Sequence, residues 1–525
     1  MCTRKIFRWL FSILIFLAFA FFLARKIDLT ISDLGRHLKN GELFFKNFYI
    51  PSVNLYSYTY PDFPFINHHW GSGVVFFFVE KLSGFGGLSI FFILLNLLTL
   101  LIFFDIARKY SNFEIAVLVS LFVVPNLIGR PEIRPEAFSC LFAGIFFWIL
   151  WNCKNGRLKW RWLFLLPVLE LFWVNLHVYF FIGLLLIGLF FLEYLFAFCI
   201  QHKQKRAGPL KKLAAVFGLS VIATFINPSG IAGALYPLNI FKNYNLDVFE
   251  NQSLFLLKKT MRAGVFDFHP VFYFQLAFGL LILSWLAVFI KAIKKRVSFS
   301  LLLFAVTVLV SLMAFLALRN YAIFSYFALA ITAVNLGYVI KKEFNSGWDY
   351  VILSVFFLLI CLNLFLAKPT YWMRAGDAGI GLKDGNSRAI DFFRKEHIAG
   401  PILNNYDIGS YLVYHLYPDY RVFVDNRPEA YPADFFKSSY MALQQDEEVW
   451  RKMDNFYGFN AILFNPHVNT PWGQGFLMRR VFDPLWSAVY VDDACIIFLK
   501  NNGQNRETVK KYALPIEVFL PKKEK

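Results

Sequence analysis

The sequence predicts an all-α polytopic membrane domain of about eleven transmembrane helices, followed by a small extracytoplasmic α/β domain. Three observations lead there. Of the 525 residues, 58% are hydrophobic, 20% aromatic and 17% charged, whereas a soluble chain carries nearer a quarter charged residues. Apolar runs long enough to cross about 30 Å of hydrocarbon recur as far as Ala367. From Tyr371 on, charged residues return and the pattern changes to short strands alternating with amphipathic helices.

The runs fall at Ile6 to Ala24, Gly86 to Ile106, Phe113 to Ile128, Ala137 to Asn152, Trp162 to Leu176 and Tyr179 to Ile200. They continue at Leu210 to Ile226, Val271 to Ile290, Phe299 to Leu318, Ala322 to Ile340 and Tyr350 to Ala367. Ala18 and Ala20 form an A-x-A pattern after a basic start, the mark of a signal peptide, but the apolar run continues to Ala24, which suits an uncleaved anchor.

Basic residues set the orientation. With the N-terminus cytoplasmic, the inner loops hold about 20 Lys and Arg, against roughly a dozen spread over longer outer segments. They include Arg4, Lys5 and Arg8, then Arg108 and Lys109, Lys203, Lys205 and Arg206, and Lys341 and Lys342. An odd number of spans then places residues after about 368 outside, in a multi-pass inner (plasma) membrane protein. The net charge of +18 is therefore a topology signal, and no nucleic-acid partner is expected. Cys140, Cys153, Cys199 and Cys361 fall in or beside apolar runs, so the cysteines form no disulfide framework.

The expected domains are residues 1–367, with 25–85 as a first extracytoplasmic loop carrying interfacial helices, and 368–525. In the latter, strands are expected at Pro401 to Leu403, Arg421 to Val424, Ala461 to Phe464, Ala488 to Val491 and Cys495 to Leu499. Helices are expected at Ser387 to His397 and Glu447 to Phe456.

Polar residues at the helix ends differ by side. The outer ends carry Asp33, His37, Asn67, His68, His69, Glu132, Arg134, Glu136, Asn175, His177, Asn227, His269, Arg319 and Asn320. Carboxylates, imidazoles, amides and guanidinium groups gathered at one face suit a site open to the outer water layer, since ionisable groups near a bilayer core are costly without a role. Asp33 and His37, four apart, would share a face of a short helix starting at Ser32 or Asp33; the bland reading of Asp33 is an N-cap. RVFVDNR reads as a buried strand whose polar end presents Asp425, Asn426 and Arg427.

The ordered patterns DLGRHLKNGE, NHHW, RPEIRPEAFS, WVNLHVYF, NPSG, ALRN and NYDIGSYLVYHLYPDYRVFVDNR span nearly the whole chain. In them the chain resembles the GT-C superfamily of membrane glycosyltransferases, in its bacterial branch related to protein mannosyltransferases and lipid A aminoarabinose transferases. The resemblance implies sugar transfer at the cell envelope from a polyprenyl-phosphate-linked donor to an extracytoplasmic acceptor (glycolipid, polysaccharide or protein), with membrane lipid as the surrounding partner. It implies Asp33 as the catalytic Asp of the first outer loop. The branch's Lys-Pro-Pro pattern is replaced by NHHW, and no D-x-D motif occurs.

A phosphate leaves without protonation, so one general base on the acceptor suffices, and Asp33 fills that role. Substrate contacts are expected from His37, His68, His69, Glu132, Arg134, Glu136, His177, Arg319, Asp425 and Arg427, with Arg134 or Arg319 on the lipid phosphate. A divalent metal stays open: Asp33, His37, His68 and His69 are ligands by type, without H-E-x-x-H or C-x-x-C spacing. Two other classes stay open as well. A lipid or solute transporter would use Glu170 beside Pro167 within its span, and a non-catalytic scaffold for envelope polysaccharide assembly would use Asp33 only as a cap.

Overall fold

A computed structural model describes residues 2–129, 131–200, 207–239, 244–246, 249–255, 270–340, 347–366, 377–468 and 470–520. His269, Lys203, Lys205, Arg206, Lys341 and Lys342 lie outside the described residues. The main helices are α1 (Cys2–Leu23), α2 (Leu34–Asn47), α3 (Trp70–Tyr110), α4 (Phe113–Leu127), α5 (Glu136–Lys154) and α6 (Leu165–Leu176). They continue with α7 (Phe181–Cys199), α8 (Ala207–Thr224), α9 (Pro270–Ile293), α10 (Leu301–Leu316), α11 (Tyr321–Val339) and α12 (Gly347–Leu366). Among the described residues, seven helices are long and apolar enough to cross a membrane, and α4 and α10 are shorter apolar helices. Length and composition thus support a multi-pass chain, with seven such helices where about eleven spans are expected.

The chain divides into two compact units. One comprises Met1–Lys26, Gly87–Pro237 and Asp247–Ile380, and holds most of the apolar helices. Its centre is α11, buried from Tyr321 to Asn335 save Ala322 and packed on α4, α9 and α10. A helix apolar all round belongs in such an interior position. Rings lock it there: Tyr326 stacks on Phe103 at 5.3 Å and Tyr321 on Phe274 at 4.3 Å. Side-chain caps fix where its neighbours start, Asn112 accepting from the Ile115 amide and Ser300 from the Leu303 amide.

The other unit comprises Ile27–Gly86, Leu238–Leu246 and Gly381–Lys525. Here a four-stranded mixed sheet runs in the order β1 (Ile402–Asn404), β2 (Ala461–Phe464), β4 (Ile496–Lys500) and β3 (Trp486–Val491). β1 is parallel to β2, and the other pairs are antiparallel. Helices α13 (Arg388–Lys395), α14 (Gly409–Leu416), α15 (Glu447–Tyr457) and α16 (Pro471–Val481) accompany it. Asp446 caps α15 through the Glu448 and Val449 amides.

One expected strand is corrected. Arg421 to Val424 joins no strand of the sheet; Val422 instead makes an isolated bridge to Ser57, its amide donating to Tyr56 O at 2.8 Å. Val422, Phe423 and Val424 are fully buried, so the apolar run reflects burial rather than sheet membership.

Candidate active site

In the second unit, α2 buries Leu34 to Gly41 and packs on α14. The approach is close: a Cβ on Gly35 would stand 2.6 Å from the Ser410 carbonyl oxygen, so a glycine is required there. The Arg36 amide donates to Ser410 Oγ at 2.8 Å. These contacts set Asp33, at the N-terminal end of α2, against the turn that begins α14.

Asp33 occupies the N-cap position, but its backbone is helical (φ −76°, ψ −1°) and its side chain makes no capping hydrogen bond. Capping needs an extended residue that turns its oxygen back on the first turn. Its carboxylate is one-third exposed and lies 3.9 Å from Arg36 Nη2, a loose ion pair. Asp28, the first carboxylate after the first span, accepts from Thr30, Asn386 and Lys383, and so closes a loop.

Sequence reasoning passed over Asp407, inside the NYDIG pattern. It is open to solvent but walled by protein on most sides, and its carboxyl is held above the usual range. Lost hydration is the first cause and the negative charge of Asp33 the second, while a hydrogen bond from Asn405 works the other way. Glu429 is raised as well, by lost hydration, against the favourable charge of Arg36.

His37 is buried, with its ring 5.6 Å from that of His69, which lies 3.8 Å from His68. His68 Nδ1 lies 3.2 Å from Ile66 O. Among the described residues, no three His, Cys, Asp or Glu side chains are arranged to hold a metal ion. No step below runs through a metal.

Asp425 and Arg427, expected among the substrate contacts, are fully buried and spend themselves on each other. Arg427 Nε and Nη2 donate to the two oxygens of Asp425 at 2.8 and 2.6 Å, and Nη2 donates also to Asn54 at 2.8 Å. The guanidinium lies between the rings of Tyr56 and Phe65, 4.7 and 4.6 Å from their centroids. The pair ties residues 54–65 to the C-terminal residues of the same unit.

In the first unit, Glu132, Arg134, Glu136 and Arg319 line one cavity of about 40 Å³ with Asn96 and Tyr326. That volume admits water or the oxygens of an anion, not a sugar ring. Arg134 is committed to Glu250, at 2.6 and 2.5 Å from its two oxygens. Arg319 Nε is buried without a hydrogen-bond partner, as are Nε and Nη2 of Arg25, another residue that sequence reasoning missed. Arg25 follows the first span; burial opposes its charge, and Glu132 and Asp377 support it.

His177 is buried, and burial lowers it to about 4, so it stays neutral at pH 7; Glu136 raises it and Arg319 lowers it further. Its Nδ1 lies 2.7 Å from Ser139 Oγ, which accepts from Trp173 Nε1. Asn175 donates to the carbonyls of Leu171 in its own helix and of Ile226, and Asn227 to those of Thr224 and Gly230. Glu170 is fully buried beside Phe146, Trp173 and Gly183, an apolar setting rather than the polar path that a transporter would use.

No family model and no curated protein sequence matches the chain. Solved structures do. The Archaeoglobus fulgidus oligosaccharyltransferase AglB, in complex with an inhibitory peptide and a dolichol-phosphate, has a TM-score of 0.57 at 11% identity, over 94% of this chain and 74% of that one. The same enzyme tethered to an acceptor peptide gives 0.57 at 10% identity, over 93% and 74%. ArnT from Cupriavidus metallidurans bound to undecaprenyl phosphate gives 0.40 at 12% identity, over 97% and 99%. The oligosaccharyltransferase match extends through both units, so the chain shares the fold of that enzyme over most of its length.

Proposed function

We propose that this chain moves a sugar from a polyprenyl-phosphate-linked donor to an extracytoplasmic acceptor, with Asp33 as general base. The observation that carries the reading is the fold shared, over 94% of the chain, with an oligosaccharyltransferase that was solved with a dolichol-phosphate. The bond from the sugar's anomeric carbon to phosphate oxygen breaks, and the phosphate leaves with the electron pair. The acceptor's oxygen or nitrogen forms the new bond, and its proton passes to Asp33. A carboxylate that caps no helix and is one-third exposed is open to an approaching acceptor, as this role needs.

The leaving phosphate needs cationic support. Arg319 is the first candidate, because Arg134 is already neutralised by Glu250 while Arg319 Nε is unused. Arg319→Ala is expected to raise KM for the donor by about 10-fold or more, the loss of one hydrogen bond to a charged group. Steady-state kinetics against donor concentration checks this, and an unchanged KM removes Arg319 from the phosphate. His37, His68, His69, Glu132, Glu136 and His177 are proposed to shape the substrate surroundings, and Asp425 with Arg427 to hold the first loop in place.

The reading requires the N-terminus inside, the residues after 367 outside and about eleven spans. Cys495 is fully buried, so an introduced thiol has to report. Gly503 is exposed with open space about it. Gly503→Cys, in a Cys199→Ser background, is expected to react with a membrane-impermeant thiol reagent on intact cells, whereas the exposed Cys199 of the native chain reacts only after permeabilisation. The reverse pattern would overturn the orientation.

The transfer itself is tested with purified protein in nanodiscs and a panel of polyprenyl-phosphate sugars, with mass spectrometry of the products. No transfer from any donor to glycolipid, polysaccharide or protein acceptors would leave the scaffold reading in its place.

A further inference from the structure

We propose that the α9–α10 hairpin binds an anionic glycerophospholipid, with one hydrocarbon chain in the groove between the helices and the phosphate on Lys294, Lys295 and Arg296 at their turn. The site lies within the first unit and needs no sugar transfer. A cavity of about 520 Å³ runs between the two helices, lined from Phe278 to Phe289 on α9 and from Phe304 to Phe315 on α10. That is about 16 Å of helix, an elongated space that suits a chain rather than a ring. At the end near the turn, Trp285, Phe299 and Phe304 meet with ring centroids 5.3 to 5.6 Å apart; at the other, Phe278 packs on Phe315 at 5.0 Å. Leu286 and Leu312 in the lining are more than half exposed, so the groove opens sideways. Thr307 Oγ1 donates to the Leu303 carbonyl at 2.8 Å and accepts from Trp285 Nε1 at 3.1 Å, so these polar groups are satisfied. One unpartnered hydroxyl, Ser311 Oγ, is too little to hold water there. A groove of this kind on membrane-crossing helices takes hydrocarbon.

The turn supplies the charge. Lys294, Lys295 and Arg296 are exposed, and among the described residues none of them pairs with a carboxylate. Other basic helix ends of this unit are neutralised: Arg108 and Lys109, ending α3, share Asp105, and Lys154, ending α5, meets Glu193. Topology alone asks for basic residues at such a turn, not for leaving them unpaired. The backbone shows the same bias. The Lys295 amide donates to Ala292 O and the Arg296 amide to Lys291 O, both at 2.9 Å, with Lys295 at φ +53°. Glycine is the ordinary residue at this left-handed position after a helix, so a lysine there keeps a third cation at a conformational cost.

Groove and turn are continuous. Phe299, from the turn itself, lines the groove, and Phe289 stands five residues before Lys294. Unneutralised cations at the end of an apolar groove match a ligand with a negative head and an apolar tail. A polyprenyl-phosphate donor has that chemistry too, but position separates the two. Arg319, the candidate for the donor's phosphate, follows α10, whereas the cations precede it. The 16 residues of α10 between them span about 24 Å. One phosphate cannot meet both ends, so the occupant is a phospholipid of the headgroup layer that meets the turn.

The test titrates the full-length protein in detergent with phosphatidylglycerol, phosphatidylcholine of the same chains and polyprenyl phosphate, each followed by native mass spectrometry. Phosphatidylglycerol is expected to bind at least about 10-fold more tightly than phosphatidylcholine, given several cations near its phosphate. Lys294→Gln, Lys295→Gln and Arg296→Gln together should bring the two within about 2-fold of each other. Val308→Trp, at a lining position that is 41% exposed, should weaken both by about 10-fold, the burial of about two methylenes. Leu312→Trp replaces it if Val308→Trp lowers the melting temperature. Phosphatidylglycerol carrying a diazirine in one chain should cross-link to peptides from 278–289 and 299–315. Equal affinity for the two phospholipids, a preference that survives the triple variant, or blocking variants without effect would each overturn the proposal. So would cross-links confined to other helices, or displacement of phosphatidylglycerol by an equal amount of polyprenyl phosphate. None of these readouts depends on sugar transfer, so the site stands or falls apart from the glycosyltransferase reading.

Discussion

Asp33→Asn is expected to lower sugar transfer by about 10² to 10⁴ while folding and membrane insertion persist. Asn keeps the size and one acceptor oxygen but loses the charge. The Asp33 side chain makes no capping bond, and its contact with Arg36 is 3.9 Å long, so loss of that loose pair costs at most about 1 kcal/mol. A rate loss of two decades or more therefore reports chemistry rather than fold. Retention of more than about a third of the wild-type rate would remove Asp33 as the base. The assignment would then move to Glu132 or Glu136, the carboxylates that line the cavity with Arg319.

The largest stability effect is expected at Arg427. Arg427→Met leaves the Asp425 carboxylate fully buried without its cation, and Asn54 Oδ1 with only the longer bond from the Ser57 amide. Breaking a buried ion pair from one side typically costs about 3 to 5 kcal/mol. The full-length variant in detergent should melt at a clearly lower temperature, with protease cleavage appearing near residues 54–65. Arg427→Met with Asp425→Leu should recover much of the loss, because replacing both partners by apolar groups removes the orphaned charge. If the double variant is no more stable than the single one, the ring stacking of Tyr56 and Phe65 on the guanidinium matters more than the ion pair.

Much of the fold is legible in the sequence because its signals are local. The apolar runs gave helices such as α5, α7, α9 and α11 where expected, and Asp446 marks the start of α15 as an N-cap should. What is not legible depends on partners far along the chain. RVFV has the composition of a strand, but its backbone partner is residues 56–58, more than 360 positions earlier. The same distance hid Asp407: nothing in NYDIGS says that Ser410 will meet Arg36, 374 residues away. Asp425 and Arg427 looked like the exposed end of a strand, and only the tertiary structure shows them enclosed by Tyr56 and Phe65. Arg25 was hidden differently, since a basic residue at a helix end reads as a topology signal.

The measurement closest to the central claim is donor consumption by the wild-type protein beside Asp33→Asn. Each would be incubated in nanodiscs with a polyprenyl-phosphate sugar and an acceptor mixture. Release of polyprenyl phosphate would be followed with the appearance of a glycosylated product. The account predicts that the wild type releases polyprenyl phosphate in step with product, and that Asp33→Asn releases it at least about 100-fold more slowly. Donor left intact by the wild type across the panel, or spent equally fast by both proteins, would contradict it.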